Sequence, residues 1–129
     1  MAEIIEHQKS EDTYDDPDHP IPALKAIDIN TVKKSGGSDL HIIIASPLKA
    51  DEYSLTRLLD KIEGYLGHIQ SVDYREESGS PTPENTRIIV NIHPDSDKKA
   101  FELLERSKPW SLQNNATLEI ELLEEKHES

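Results

Sequence analysis

An α+β domain is predicted, with two helices packed on one face of a mostly antiparallel sheet. Three observations predict it. Between Leu24 and Leu123 the apolar residues switch repeatedly between a period of two and a helical period. Clusters of Gly, Pro, Ser and Asn fall at the switches. The helical stretches alternate with β-rich ones instead of gathering at one end.

The first strand is read from Ile27 and Ile29, which alternate with Asp28 and Asn30. Ser35-Gly36-Gly37-Ser38 follows, and adjacent glycines tolerate the positive φ of a hairpin turn. Leu40–Ala45 is apolar on both faces and rich in β-branched residues, the signature of a central strand. Ser46-Pro47 breaks it. Asp51 and Glu52 then place negative charge in the first turn of a helix. Leu55, Leu58, Leu59, Ile62, Tyr65 and Leu66 form its apolar stripe, and Gly67 is placed to cap it. Thr56, Arg57, Asp60, Lys61 and Glu63 are expected on the solvated side.

His68 to Glu76 resumes alternation, with Val72 and Tyr74 on one face of an expected strand. The loop Glu77–Asn85 carries two prolines. Arg87–His93 is the next strand, with Ile88, Val90 and Ile92 inward. Asp95 or Ser96 is expected to cap a second helix, which carries Ala100, Phe101, Leu103 and Leu104 and ends before Pro109. After an Asn114-Asn115 turn, Ala116, Leu118, Ile120 and Leu122 mark the last strand.

The order is therefore ββαββαβ. Its last six elements form two β-α-β units, the ferredoxin-like two-layer sandwich. Strand 40–45 would run antiparallel to strand 87–93. The extra first strand either displaces the last one beside Leu40–Ala45 or extends the sheet to five strands.

Charge divides the chain into three parts. Residues 1–22 carry a balance of −6, residues 23–123 of −4, and residues 124–129 of −2. These read as an acidic disordered leader, one folded domain and a charged tail. With no cysteine, disulfides and thiolate metal sites are excluded. No apolar run is long enough to span a bilayer, and the N-terminus lacks the basic and apolar regions of a signal peptide. A cytoplasmic protein is expected. The net charge of −12 disfavours nucleic acid and anionic membranes as partners.

The strand Leu40–Ile44 and the following helix, Leu55-x-x-Leu58-Leu59-x-Lys61-Ile62-x-x-Tyr65-Leu66-x-x-Ile69, resemble a family of small bacterial domains of uncharacterised function. In layout the similarity extends over residues 27–123. The family often carries Trp shortly before this helix, where this chain has Ser46-Pro47-Leu48-Lys49-Ala50. The resemblance implies the α+β fold and carries over no site residue.

No glycine-rich phosphate loop, Cys nucleophile or G-x-S-x-G elbow is present. His93-Pro94-Asp95-Ser96-Asp97 has a metal-loop flavour, but its acids read better as helix caps. No catalytic residue, metal or cofactor is expected. The candidate site is the sheet face away from the helices. His41, Ile43, Ile89, Asn91, His93, Thr117, Glu119, Glu121 and Leu123 are expected to point outward there. His41, Ile43, Ile89, Asn91 and His93 are the residues assigned to partner binding. In the ferredoxin-like order His41, His93 and Glu121 would share a corner, a possible Zn²⁺ or pH-sensitive cluster. Two separate surface histidines is the stronger reading.

Aliphatics on an open sheet face suggest a docking surface for a protein or a second copy. The alternative is that the leader, with Ile4, Ile5 and Ile21, folds over it. Trp110 is expected to close one end of the core from a loop, and Tyr53 to be exposed. The functional expectation is a non-enzymatic interaction domain of immunity or regulatory type that masks a basic partner. The alternative is a small-ligand or metal-sensing domain using the same face.

Overall fold

The chain enters its sheet through a hairpin. Strand β1 (Ile29–Val32) pairs antiparallel with β2 (Ser38–Ile44), with Ile29 beside His41 and Val32 beside Ser38. Gly36 and Gly37 turn the chain at φ +102° and +82°. At Gly37 a side chain has no room, since a Cβ would stand 2.0 Å from the Asn85 carbonyl oxygen. The Gly37 N–H donates to the Ser78 carbonyl (2.7 Å), tying the turn to the far end of the domain's first crossover.

The computed structural model describes residues 15–123, in the order β1, β2, α1 (Glu52–Ile69), α2 (Val72–Ser78), β3 (Thr86–Ile92), α3 (Lys98–Gln113) and β4 (Thr117–Leu122). The expectations for residues 1–14, including Ile4 and Ile5, and for the tail 124–129 lie outside the described residues. The sheet is mixed and ordered β1-β2-β3-β4. β2 and β3 are parallel, with Ser38 beside Thr86 and Ile44 beside Ile92. β3 and β4 are parallel as well, from Arg87 beside Thr117 to Ile92 beside Leu122.

This corrects the ferredoxin-like, mostly antiparallel arrangement, and one segment is responsible. Residues 68–76 hold no strand: 68–69 end α1, Gln70 and Ser71 form a turn, and 72–76 open α2. The Ser71 hydroxyl accepts the Tyr74 N–H (3.1 Å) and starts α2. Val72 and Tyr74 would share a face in a strand. In a helix, two residues apart, they point in nearly opposite directions. Val72 is accordingly 69% exposed and Tyr74 is buried. With no strand there, the central hairpin is lost and the β2-to-β3 connection becomes a helical crossover, which joins parallel strands. The first strand takes the place beside β2, and the last lies beside β3.

Both crossovers step the same way across the sheet, so the right-handed rule puts their helices on one face. The core lies between. Leu40, Ile42, Ile44, Ile88, Val90, Ile92 and Leu118 meet Leu58, Ile62, Tyr65, Ile69, Tyr74 and Leu104, all buried. Each such aliphatic contributes roughly 1.5–3 kcal/mol through burial.

The helices depart from expectation in detail. Gly67 does not cap α1, which runs to Ile69 with Gln70 as its C-cap. The apolar stripe is rotated: Leu59 is 36% exposed, whereas Arg57 and Lys61, expected in solvent, are each only 2% exposed. Helix α3 is capped by Asp97, whose carboxylate accepts the Lys99 N–H (2.9 Å), and Ser96 accepts the Leu48 N–H instead. α3 also continues through Pro109 to Gln113. Proline removes one N–H donor and crowds the preceding turn. Pro109 lies on the exposed side, where water can serve the freed carbonyl. Trp110 is therefore a helical residue, half-buried against the core. As expected, Asn115 turns the chain at φ +73° before β4.

Part of the acidic leader is docked. Asp15 bridges Ala23, and Ile21 is 1% exposed within the core cluster. Residues 15–24 form a strap along α1.

Candidate functional site

Two surfaces concentrate polar chemistry. The first is the sheet face turned away from the helices. Parallel register sets its side chains in rows: Asp39, Arg87 and Thr117, then His41, Ile89 and Glu119, then Ile43, Asn91 and Glu121. β1 adds Ile29 beside His41. Arg87 grips Asp39 with two bonds, Nε to Oδ1 (3.0 Å) and Nη2 to Oδ2 (2.7 Å), and donates from Nη1 to Glu119 (3.1 Å). Lys33 approaches Asp39 at 3.3 Å. The Arg87 hydrogen bonds hold the Asp39 carboxyl below the usual carboxylate range. In the next rows His41 Nδ1 donates to Asn91 Oδ1 (2.6 Å), since that oxygen can only accept. Asn91 then donates to Glu121 (3.3 Å). Beneath, the Tyr65 hydroxyl donates to the His41 carbonyl (2.6 Å) and accepts the Asp28 N–H (2.7 Å).

Four of the five expected binding residues adjoin. His41, Ile43, Ile89 and Asn91 occupy neighbouring positions, but they differ in access. Ile43, His41 and Asn91 are half-buried, while Ile89 is only 3% exposed, ringed by the linked groups His41, Asn91, Arg87 and Glu119. His93 stands apart. It lies four residues beyond Ile89, His41's neighbour, or about 13 Å along the strand. There its Nδ1 accepts the Asp95 N–H (3.0 Å). The parallel register that separates the two histidines also removes the expected His41–His93–Glu121 corner. Among the described residues no group of three or more His, Asp or Glu side chains is arranged to hold a metal.

The second surface was not foreseen. Where β2 ends and α1 begins, the strap closes over the loop to leave a crevice of about 620 Å³. Asp16, Asp18, His19 and Pro20 line it from the strap, and Pro47, Lys49, Asp51, Tyr53 and Ser54 from the loop and helix. Its strap wall is held by main-chain recognition. The buried Arg57 donates from Nε (2.9 Å) and Nη2 (2.7 Å) to the Ile21 carbonyl. One helical turn on, Lys61 donates to the carbonyls of Ala23 and Ala26 and pairs with Asp28 (3.1 Å). Tyr53 links the two walls by donating to Asp16 (2.7 Å), with the Arg57 guanidinium 5.5 Å from its ring centre. That bond lowers the Asp16 carboxyl and raises the Tyr53 hydroxyl.

His19 and Ser54 lie 2.8 Å apart, nucleophile beside imidazole. The tautomer rules out that use. His19 Nδ1 accepts the Ile21 N–H (2.9 Å), so the ring proton sits on Nε2 and points at Ser54. A neutral ring in this form cannot take the Ser54 proton. Burial lowers the His19 pKa, with Arg57 reinforcing it, which favours the neutral ring.

Two signals in the sequence pointed this way. Ile21 is a lone aliphatic between prolines in an acidic segment, and Tyr53 and Arg57 stand four apart on the helix. Compared with models of protein families, with curated proteins and with solved structures, the chain has no match in any of the three.

Proposed function

We propose that this chain is a non-enzymatic interaction domain that docks a basic protein partner on its open sheet face. The observation that carries the reading is the asymmetry of the sheet. Helices and strap cover one face, while the other holds Ile43 and the exposed Ile29 among side chains already fixed by hydrogen bonds. Polar groups held in place lose little freedom on docking, which favours recognition. Glu119 and Glu121 stand along the edge strand β4, and Leu122 beside them is 57% exposed. A second copy paired along this edge would set these acids against their own kind. A basic partner is complementary, in line with the net charge of −12.

The test is charge reversal with a folding control. Ile43→Lys and the pair Glu119→Lys/Glu121→Lys are compared with the parent in quantitative affinity capture, each checked by circular dichroism. Ile89 is left alone because it is buried. Loss in both variants of a partner with a basic contact surface supports the reading. Identical capture by parent and variants removes it. A parent that self-associates and variants that do not would replace it with a homo-oligomer.

A further inference from the structure

We propose that the crevice between the strap and the start of α1 binds an alkylammonium group, either a free amine or the side chain of a peptide lysine. The inference stands on the crevice alone and uses no residue of the sheet face, so the two readings fail separately.

Size comes first. About 620 Å³ lies within the range of small-ligand sites, and the crevice opens at the carboxyl end of a parallel strand, where loops of such sheets form ligand clefts. Charge selects the sign of the ligand. Three carboxylates, Asp16, Asp18 and Asp51, face one ammonium, Lys49, while burial, with Arg57, favours the neutral His19 ring, whose Nδ1 accepts the Ile21 N–H. An anion at the start of α1 would meet the Asp51 carboxylate ahead of the helix dipole. Geometry then selects among cations. The described carboxylates do not converge as a metal cage would require. They are spread around a cleft whose remaining walls include Pro20 and Pro47, rigid apolar surfaces suited to a hydrocarbon stem. An ammonium on a short alkyl chain uses both features: the head reaches Asp18 or Asp51 and the stem lies between the prolines. The site is also ordered in advance. Asp16 is fixed by Tyr53, and the strap by Arg57 and Lys61, so little freedom remains to be lost on binding.

The test is a titration of the nitrogen-15-labelled full chain, read by amide chemical shifts. The probes are n-butylammonium and a blocked lysine, with butyrate and sodium chloride as controls, each to ~10 mM, above the millimolar affinities weak single contacts reach. Saturable shifts at Asp18, His19, Lys49, Asp51 and Ser54 are expected with one or both amines and not with the controls. Binding by n-butylammonium alone identifies a free amine as the ligand, and binding by blocked lysine identifies a peptide. Asp18→Asn, at an exposed position, should weaken binding about two- to fivefold, and Lys49→Gln should strengthen it. Shifts that do not saturate, that sodium chloride reproduces, or that Asp18→Asn and Asp51→Asn both leave unchanged would overturn the proposal.

Discussion

Replacing Lys61 by Met is expected to destabilise the domain by about 2–4 kcal/mol, more than replacing Leu59 by Ala, although the sequence pattern assigns the opposite roles. The Lys61 ammonium is 2% exposed and makes three bonds, to the carbonyls of Ala23 and Ala26 and to the Asp28 carboxylate. A hydrogen bond to a charged group contributes about 1.5–3 kcal/mol, so complete loss of three would be severe. Two acceptors are softened by solvent: Ala26 is exposed, and the Asp28 side chain is 24% exposed and retains the Ile43 N–H (3.0 Å). Met matches the stem of Lys and leaves little void. What remains is the half-buried Ala23 carbonyl and the weakened strap, hence the lower figure. Leu59→Ala should cost under about 1 kcal/mol, because its side chain already meets water. Urea unfolding followed by fluorescence of the single Trp110 and by circular dichroism measures both. The Lys61 change corresponds to a Tm roughly 8–15 °C lower. A Lys61→Met cost below about 1 kcal/mol, or below that of Leu59→Ala, would refute a buried lysine holding the strap.

Three further outcomes follow from the same contacts. The folded-state pKa of His19 is lowered, so the unfolded chain binds the proton more readily; the stability that its neutral form contributes is complete above the unfolded value of about 6.5 and is lost as pH falls through the lower folded value. Urea midpoints should therefore fall below about pH 6.5 in the parent, and His19→Gln should flatten that slope; an equal slope in both would assign it to other groups. Gly37→Ala should cost more than about 3 kcal/mol, because its Cβ would stand 2.0 Å from the Asn85 carbonyl, whereas Gly36→Ala, with nothing nearer than 3.8 Å, should cost about 1 kcal/mol for its positive φ; paired denaturation curves check the order. Tyr74→Phe removes a buried hydroxyl without a protein partner, so its midpoint should be equal to or above the parent's.

Most strands and the two longer helices were legible, because their apolar periods repeat over two turns or several alternations. The segment 68–76 was not. Val72 and Tyr74 supply a single two-residue repeat, which a helix with one residue in and one out satisfies equally well. That ambiguity decided the sheet, since it set β3 parallel to β2 and moved His93 away from His41. The face of α1 was misread for another reason. Hydrophobic patterning puts Arg and Lys in water, but a long cationic side chain can be buried where main-chain carbonyls receive it. Those carbonyls belong to residues 21–26, assigned in part to a solvated leader, and carbonyl groups leave no trace in a residue pattern. The open sheet face was recoverable because alternation alone determines which residues share a face. The crevice left only two local signals, the lone Ile21 between prolines and the Tyr53–Arg57 spacing, because its walls lie some 30 residues apart and meet only through the strap.

The strap has a consequence for how this molecule tolerates change. Arg57 and Lys61 take hold of it through carbonyl oxygens, and every amino acid brings the same carbonyl. The grip is therefore indifferent to side chains at Pro22, Ala23 and Ala26, provided the backbone path is kept. Ile21 and Leu24, whose side chains are buried, and His19, whose ring spans strap and helix, do depend on identity. A saturation library should find Pro22, Ala23 and Ala26 permissive and His19, Ile21 and Leu24 sensitive, while Arg57 and Lys61 accept almost nothing. The strap could then carry new side chains at its permissive positions, beside the crevice, without being released from the fold.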